Sequence, residues 1–253
     1  MGGRMAGGTW MRRLGGVAVG VFLLLSSTLM TGALSYYPPG PQGAIGISQP
    51  VIQQQLVLEE GEFVKSVTML LDGAPVEAVL DASGLVHYTP PEPLQPGEHT
   101  VRLTVEIGEQ SGRFTYAPLV SRFTFTVAQG AKSGLPAPGP EQVRALERVN
   151  QYRQAAKLPP LSYSPVLGAA AGGHARYLAA NPAQIEVDAH AEAAGQNLFV
   201  GTYVGDRARF FGYMGGVFEV INFTDRAELA VDGWMDTIYH RIPLLAPGNT
   251  QMG

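Results

Sequence analysis

Apolar and polar residues follow two different periods along this chain, and the change falls in a stretch rich in Pro and Gly, Gln129 to Pro140. Before it the pattern is that of strands. Val101, Leu103 and Val105 alternate with Arg102, Thr104 and Glu106, and Phe123, Phe125 and Val127 alternate with Thr124 and Thr126. A period of two places each apolar set on one buried face. Val67 to Leu71 runs into Asp72-Gly73, a hairpin-turn signal, and Val76 to Leu80 follows. Asp81 to Gly84 and Pro96-Gly97 mark further turns, with Leu85 to Thr89 between them. Short strands spaced by turns predict a small all-β sandwich over residues 47–128. Residues 36–46 read as an extended spacer and 129–140 as an interdomain linker.

After the linker the period becomes helical. Val143, Leu146, Val149 and Tyr152 share a helical stripe that opens at Pro140-Glu141 and ends at Pro159-Pro160. Ser164-Pro165 predicts an N-cap with proline in the first turn. Leu167, Ala170, Ala171, His174, Tyr177 and Leu178 then form one face, stopped by Asn181-Pro182. A third helix is predicted from Asp225, with Glu228 as its capping partner and Ala227, Ala230, Val231, Trp234 and Ile238 as its buried stripe.

The first 35 residues belong to neither pattern. Arg4, Arg12 and Arg13 precede an apolar run from Leu14 to Leu34, and Ala33-Leu34-Ser35 offers small residues for cleavage before Tyr36. This order reads as a secretory signal peptide, with an uncleaved membrane anchor as the alternative. Either reading places the rest of the chain outside the cytoplasm, secreted or at the cell surface.

Composition narrows the chemistry. The 253 residues contain no cysteine, which removes disulfides, thiolate metal sites and cysteine nucleophiles. The net charge of −4 comes without a basic cluster, so no nucleic-acid partner is expected. His87 and His99 each stand without partner spacing and read as surface residues. His174 reads as a packed core histidine, and Trp234 and Tyr239 as core and cleft-wall residues. Gly201 to Gly205 is followed by Asp206 and Arg207, read as a loop-fixing ion pair.

Four segments in order carry a resemblance. Arg148 to Arg153 (RVNQYR) with Leu158 to Leu161 (LPPL) comes first, then Leu167 to Ala175 (LGAAAGGHA). Gly212-Tyr213 with Glu219 to Asn222 (EVIN) follows, and Trp234 to Arg241 (WMDTIYHR) with Leu244, Leu245 and Pro247 closes the series. Together they resemble the CAP superfamily of cysteine-rich secretory, antigen-five and pathogenesis-related proteins, in its bacterial, cysteine-free form. In the third segment Val220 stands where the family has Asn. Leu94 to Val101, closed by Phe123 to Val127, more loosely resembles bacterial immunoglobulin-like modules.

The resemblance implies a multidomain chain: an N-terminal all-β immunoglobulin-like sandwich, then an α-β-α sandwich over residues 141–253. That domain is expected to be C-terminally truncated, because the family continues past this point into strands of its central sheet. The resemblance also implies a cleft lined by two histidines and two acidic residues. By position these become His190, Glu219 and His240, with Thr237 at the second acidic position. Glu192 would replace the missing carboxylate if residues 190–192 were extended.

Two imidazoles and a carboxylate could hold Zn²⁺ with a position open, His190 and His240 being the metal ligands, or could relay protons. The functional expectation is a binding module for a small apolar, lipid-like or peptide ligand, or for a component of the cell envelope. The alternatives are a metal-assisted hydrolase using His190, Glu219 and His240, and a structural or adhesion module with a vestigial cleft. The set offers no evident nucleophile, so no catalytic residue is assigned.

Overall fold

The structure, a computed structural model, describes residues 35–36, 38–112, 115–135 and 137–253. The segment read as a signal peptide or anchor lies outside the described residues, apart from Ser35. No helix among the described residues is long and apolar enough to cross a membrane.

Among the described residues the first part has nine strands: β1 (Ser35–Tyr36), β2 (Gly43–Ile47), β3 (Ile52–Val57), β4 (Glu62–Leu71), β5 (Ala74–Val76), β6 (Val79–Leu80), β7 (Leu85–Tyr88), β8 (Gly97–Glu109) and β9 (Leu119–Lys132). They form a four-stranded sheet, ordered β1-β3-β7-β6, and a five-stranded sheet, ordered β2-β9-β8-β4-β5. All pairings are antiparallel except that of β2 with β9.

The alternation predicted for Val101, Leu103 and Val105 holds along β8, where these residues are buried while Arg102 and Glu106 are exposed. Phe125 and Val127 of β9 face the same way, and Ile52, Leu56 and Val86 of the other sheet share the apolar cluster with them. Asp72 and Gly73 both have positive φ, 52° and 81°, as a type I′ turn requires, and they join β4 to β5 as predicted.

Two expectations change here. Val76 to Leu80 is not one strand. It divides into β5 and β6, which belong to different sheets, so the chain crosses from one sheet to the other at Glu77-Ala78. The spacer is also partly structured, because residues 43–47 pair with β9 and bury Ile45 and Ile47.

Among the described residues the second part carries six helices: α1 (Pro140–Ala155), α2 (Pro165–Ala180), α3 (Ala183–Asp188), α4 (Val204–Phe210), α5 (Ala227–Met235) and α6 (Ile238–Leu245). Ser164 caps α2 as predicted, its hydroxyl accepting from Leu167 N at 3.4 Å. Helix α1 packs on α5 through Val149 and Val231, and Asp232 accepts from Arg148 Nε at 2.7 Å and from the Tyr152 hydroxyl at 2.9 Å. The third predicted helix breaks in two. It ends at Met235, and Ile238, expected in its buried stripe, opens α6 and is 62% exposed.

Among the described residues of this part, the strands are β10 (Ser162–Tyr163) and β11 (Gln251–Met252), which pair in parallel. The central sheet expected of an α-β-α sandwich is represented by this one pair. Arg153 holds the segment that leads into β11. It is fully buried and donates to the carbonyls of Pro159, Leu244, Ala246 and Asn249 at 2.8 to 3.1 Å.

Candidate functional site

Helix α4 presents Arg207 to the centre of the helical part, and a line of charged and polar side chains forms around it. Arg207 is 1% exposed. Its Nη2 donates to both oxygens of Glu219, at 2.7 and 2.8 Å, and its Nη1 donates to the carbonyls of Thr202 and His190. Its Nε lies 3.9 Å from Glu192 Oε1. A guanidinium removed from water is stable only when its charge and its donors are met, and two carboxylates with two carbonyls do this.

The line extends in both directions. His190 Nδ1 lies 3.0 Å from Glu219 Oε2, with the ring half exposed. On the inner side, His174 Nδ1 lies 2.9 Å from Glu192 Oε1, and its Nε2 lies 2.8 Å from the Ala189 carbonyl. The second oxygen of Glu192 accepts from Val200 N at 2.9 Å. The order is therefore His190, Glu219, Arg207, Glu192 and His174, running from the surface to the core.

Of the five residues read as lining a cleft, the structure brings His190 and Glu219 together. Thr237 and His240 form a separate pair at the start of α6, with Thr237 Oγ1 and His240 Nδ1 2.7 Å apart. Glu192 corrects the expectation. Residues 190–192 are not a strand, and its buried carboxylate turns inward to His174.

The proposed zinc set is not assembled. Among the described residues no group of three or more His, Cys, Asp or Glu side chains is placed to hold a metal ion. The donors explain why. The oxygens of Glu219 are taken by Arg207 and His190, and His240 is bonded to Thr237.

Three other readings change. Arg207 pairs with Glu219, while Asp206 accepts from Arg209 at 2.8 Å and from Tyr203 N. The Asp206 carboxyl lies below its ordinary value, held chiefly by that backbone bond; burial opposes this, and the bond and charge of Arg209 help to outweigh it. Tyr239 is 83% exposed and is not a cleft wall. His99 is buried rather than superficial, with Nδ1 2.7 Å from Asp72 Oδ2 and Nε2 2.8 Å from the Gln95 carbonyl.

Beside Arg207 and Glu219 opens a cavity of about 460 Å³. Its apolar walls come from Leu161, Leu167, Val217, Val220, Trp234 and Leu244, and Val204, Arg207 and Ala208 form the α4 side. His190, Glu192, Thr237 and His240 do not line it. Trp234 fits its expected role, since it is half-buried in this wall with Nε1 donating to the Ile221 carbonyl at 3.0 Å.

Residues 146–253 match the family model described as CAP, the cysteine-rich secretory protein family. The CAP-matching region thus contains all four segments that carried the resemblance. No curated protein matches the chain.

Two solved structures each align with 38% of the chain. One is CopC from Methylosinus trichosporium OB3b, at 15% identity and a TM-score of 0.29, with 93% of that chain covered. The other is a structure of the fibronectin(III)-like modules of Clostridium thermocellum CbhA, at 11% identity and a TM-score of 0.25, with 100% covered. At these scores neither bears on function.

Proposed function

We propose that this protein is a secreted or surface-displayed binding protein whose CAP-matching region takes up a small apolar or lipid-like molecule. The observation that carries this reading is the cavity of about 460 Å³ between α2, α4, α5 and the segment leading to β11. Its size lies within the range of about 300–1,000 Å³ usual for small-molecule pockets. Its walls are mainly aliphatic and aromatic, so transfer of an apolar chain from water supplies the driving force, at roughly 25 cal/mol per Å² buried.

Arg207 and Glu219 saturate each other, so the polar side of the cavity offers little charge to an ionic ligand. His190 lies at the outer end of the same line, half exposed, where it can meet a polar head group. A signal peptide over residues 1–35, a bacterial source and an immunoglobulin-like character for the β-rich part complete the reading.

The test is uptake of parinaric acid, a fluorescent polyene fatty acid, by the full chain. Wild type should bind it in the micromolar range, and Val217→Trp, which fills the cavity from a half-buried wall position, should weaken binding by about ten-fold or more, or 1.4 kcal/mol. Equal uptake by both, or none by wild type, sinks the reading.

A further inference from the structure

The β-rich part and the CAP-matching region meet where β2 faces α4. Gly46 of β2 lies under Phe210, the last residue of α4, so closely that a Cβ there would overlap the ring carbons Cε1 and Cζ. Just beyond, Gly212 adopts φ 90°, and a Cβ there would stand 2.8 Å from Ile47 Cδ1. A third glycine, Gly40, gives way in the same manner to Met214. Phe210 packs edge-on against Phe211, with centroids 5.2 Å apart, and so cannot swing aside freely. Phe211 joins Ile45 and Ile47 in one buried cluster with Ala169 and Ala170 of α2.

An adjoining face of α4 belongs to the cavity. Val204, Arg207 and Ala208 wall it, and so does Ala170 from the shared cluster. Arg207 stands one turn before Phe210 and holds Glu219, which meets His190. A two-turn helix moves as a rigid rod, and close-packed interiors transmit displacement rather than absorb it.

We infer that the β-rich part is a positioning element of the cavity, acting through Phe210. It sets where α4 lies, and α4 sets the cavity wall and the Arg207–Glu219 contact. The β-rich part is then a support for the binding site. The consequence for ligand uptake rests on the binding function proposed above, whereas the consequence for cavity shape does not.

The experiment uses the full chain with Trp10→Phe, which leaves Trp234, in the cavity wall, as the sole tryptophan. Gly46→Ala should push Phe210 and tilt α4. It should raise acrylamide quenching of Trp234 by about two-fold, because a loosened wall admits the quencher. It should also weaken parinaric acid uptake by about ten-fold. Adding Phe210→Ala to Gly46→Ala makes room for the new methyl group and should return both readings toward wild type. A general loss of stability would instead make the double variant worse than either single one.

Unchanged Trp234 quenching in folded Gly46→Ala, or a double variant worse than both singles, overturns the inference. If Gly46→Ala does not fold, Ile47→Ala serves. It removes the contact with Gly212 and should shift Trp234 quenching in the same direction, and no shift overturns the inference. Wild type that takes up no parinaric acid, with Trp234 still responding and rescued, supports the positioning role while the binding function falls.

Discussion

Arg207 Nη2 donates to both oxygens of Glu219, at 2.7 and 2.8 Å, from a guanidinium that is 1% exposed. Nothing in this contact depends on a ligand, so its first consequence is for stability. Arg207→Met leaves Glu192 and Glu219 without their shared cation, and removing one partner of a buried pair costs about 3–5 kcal/mol. Urea unfolding at neutral pH should show a loss of that size. Glu219→Gln should cost less, because Arg207 still faces Glu192 at 3.9 Å.

The Asp72–His99 contact makes the β-rich part sensitive to pH. Burial of the His99 ring opposes its charging, but the bonds to Asp72 and to the Gln95 carbonyl, with the charge of Asp72, outweigh that and raise His99 above its ordinary 6.5. Burial pushes Asp72 upward as well, and the bonds from His99 and Thr100 overcome it, leaving the carboxyl below its ordinary 3.8. His99 therefore stabilises the fold fully below about 6.5, and its contribution fades as pH rises through its higher folded value. The contribution of Asp72 is present above about 3.8 and is lost as pH falls through its lower folded value. Melting temperature followed between pH 5 and 9 should fall on the alkaline side in wild type. In His99→Gln that fall should be smaller.

Arg153 should prove the main anchor of the chain from Leu244 to β11. Its four carbonyl partners come from Pro159 and from the chain between Leu244 and Asn249. Burial alone pulls its guanidinium below its ordinary value. Arg153→Met should cost about 3 kcal/mol or more, since buried carbonyls lose charged donors. Hydrogen exchange should quicken over residues 246–252. Arg153→Lys should recover only part of the loss, because an ammonium group cannot span the same carbonyls.

Gln54 offers a change in the opposite direction. Ile52, Gln54 and Leu56 share the buried face of β3, and the amide of Gln54 finds no hydrogen-bond partner among the described residues. Gln54→Met keeps the volume and removes the unmet polar atoms, and should raise stability by about 1–2 kcal/mol. A loss of stability in urea unfolding would show that the amide is satisfied in solution.

Much of the fold was legible because its signals are local. The alternation in β8, the Asp72-Gly73 turn and the Ser164-Pro165 cap each follow from a few neighbouring residues. The break between β5 and β6 was not legible, since a sheet change depends on which partner strands lie beside each half. The site divides in the same way. His190 and Glu219 are in contact, but Arg207, which holds Glu219 from the inner side, was misassigned to its chain neighbour Asp206. A buried arginine chooses its partner by depth and direction, and neither is written in spacing. The His99 and Glu192 readings failed for the same reason, since each side chain turns to a partner 27 or 18 residues away.

The sequence by itself determined that strands precede helices, that thiol chemistry is absent, and that four ordered segments resemble the CAP superfamily, as the match over residues 146–253 bears out. These depend on residue type, period and order, which local physics and simple comparison can read. Only the tertiary structure decided that Arg207 holds Glu219, that Glu192 turns inward to His174, and that β2 packs closely on α4. Each of these depends on contacts between distant segments, where close packing and the cost of burying charge select one arrangement.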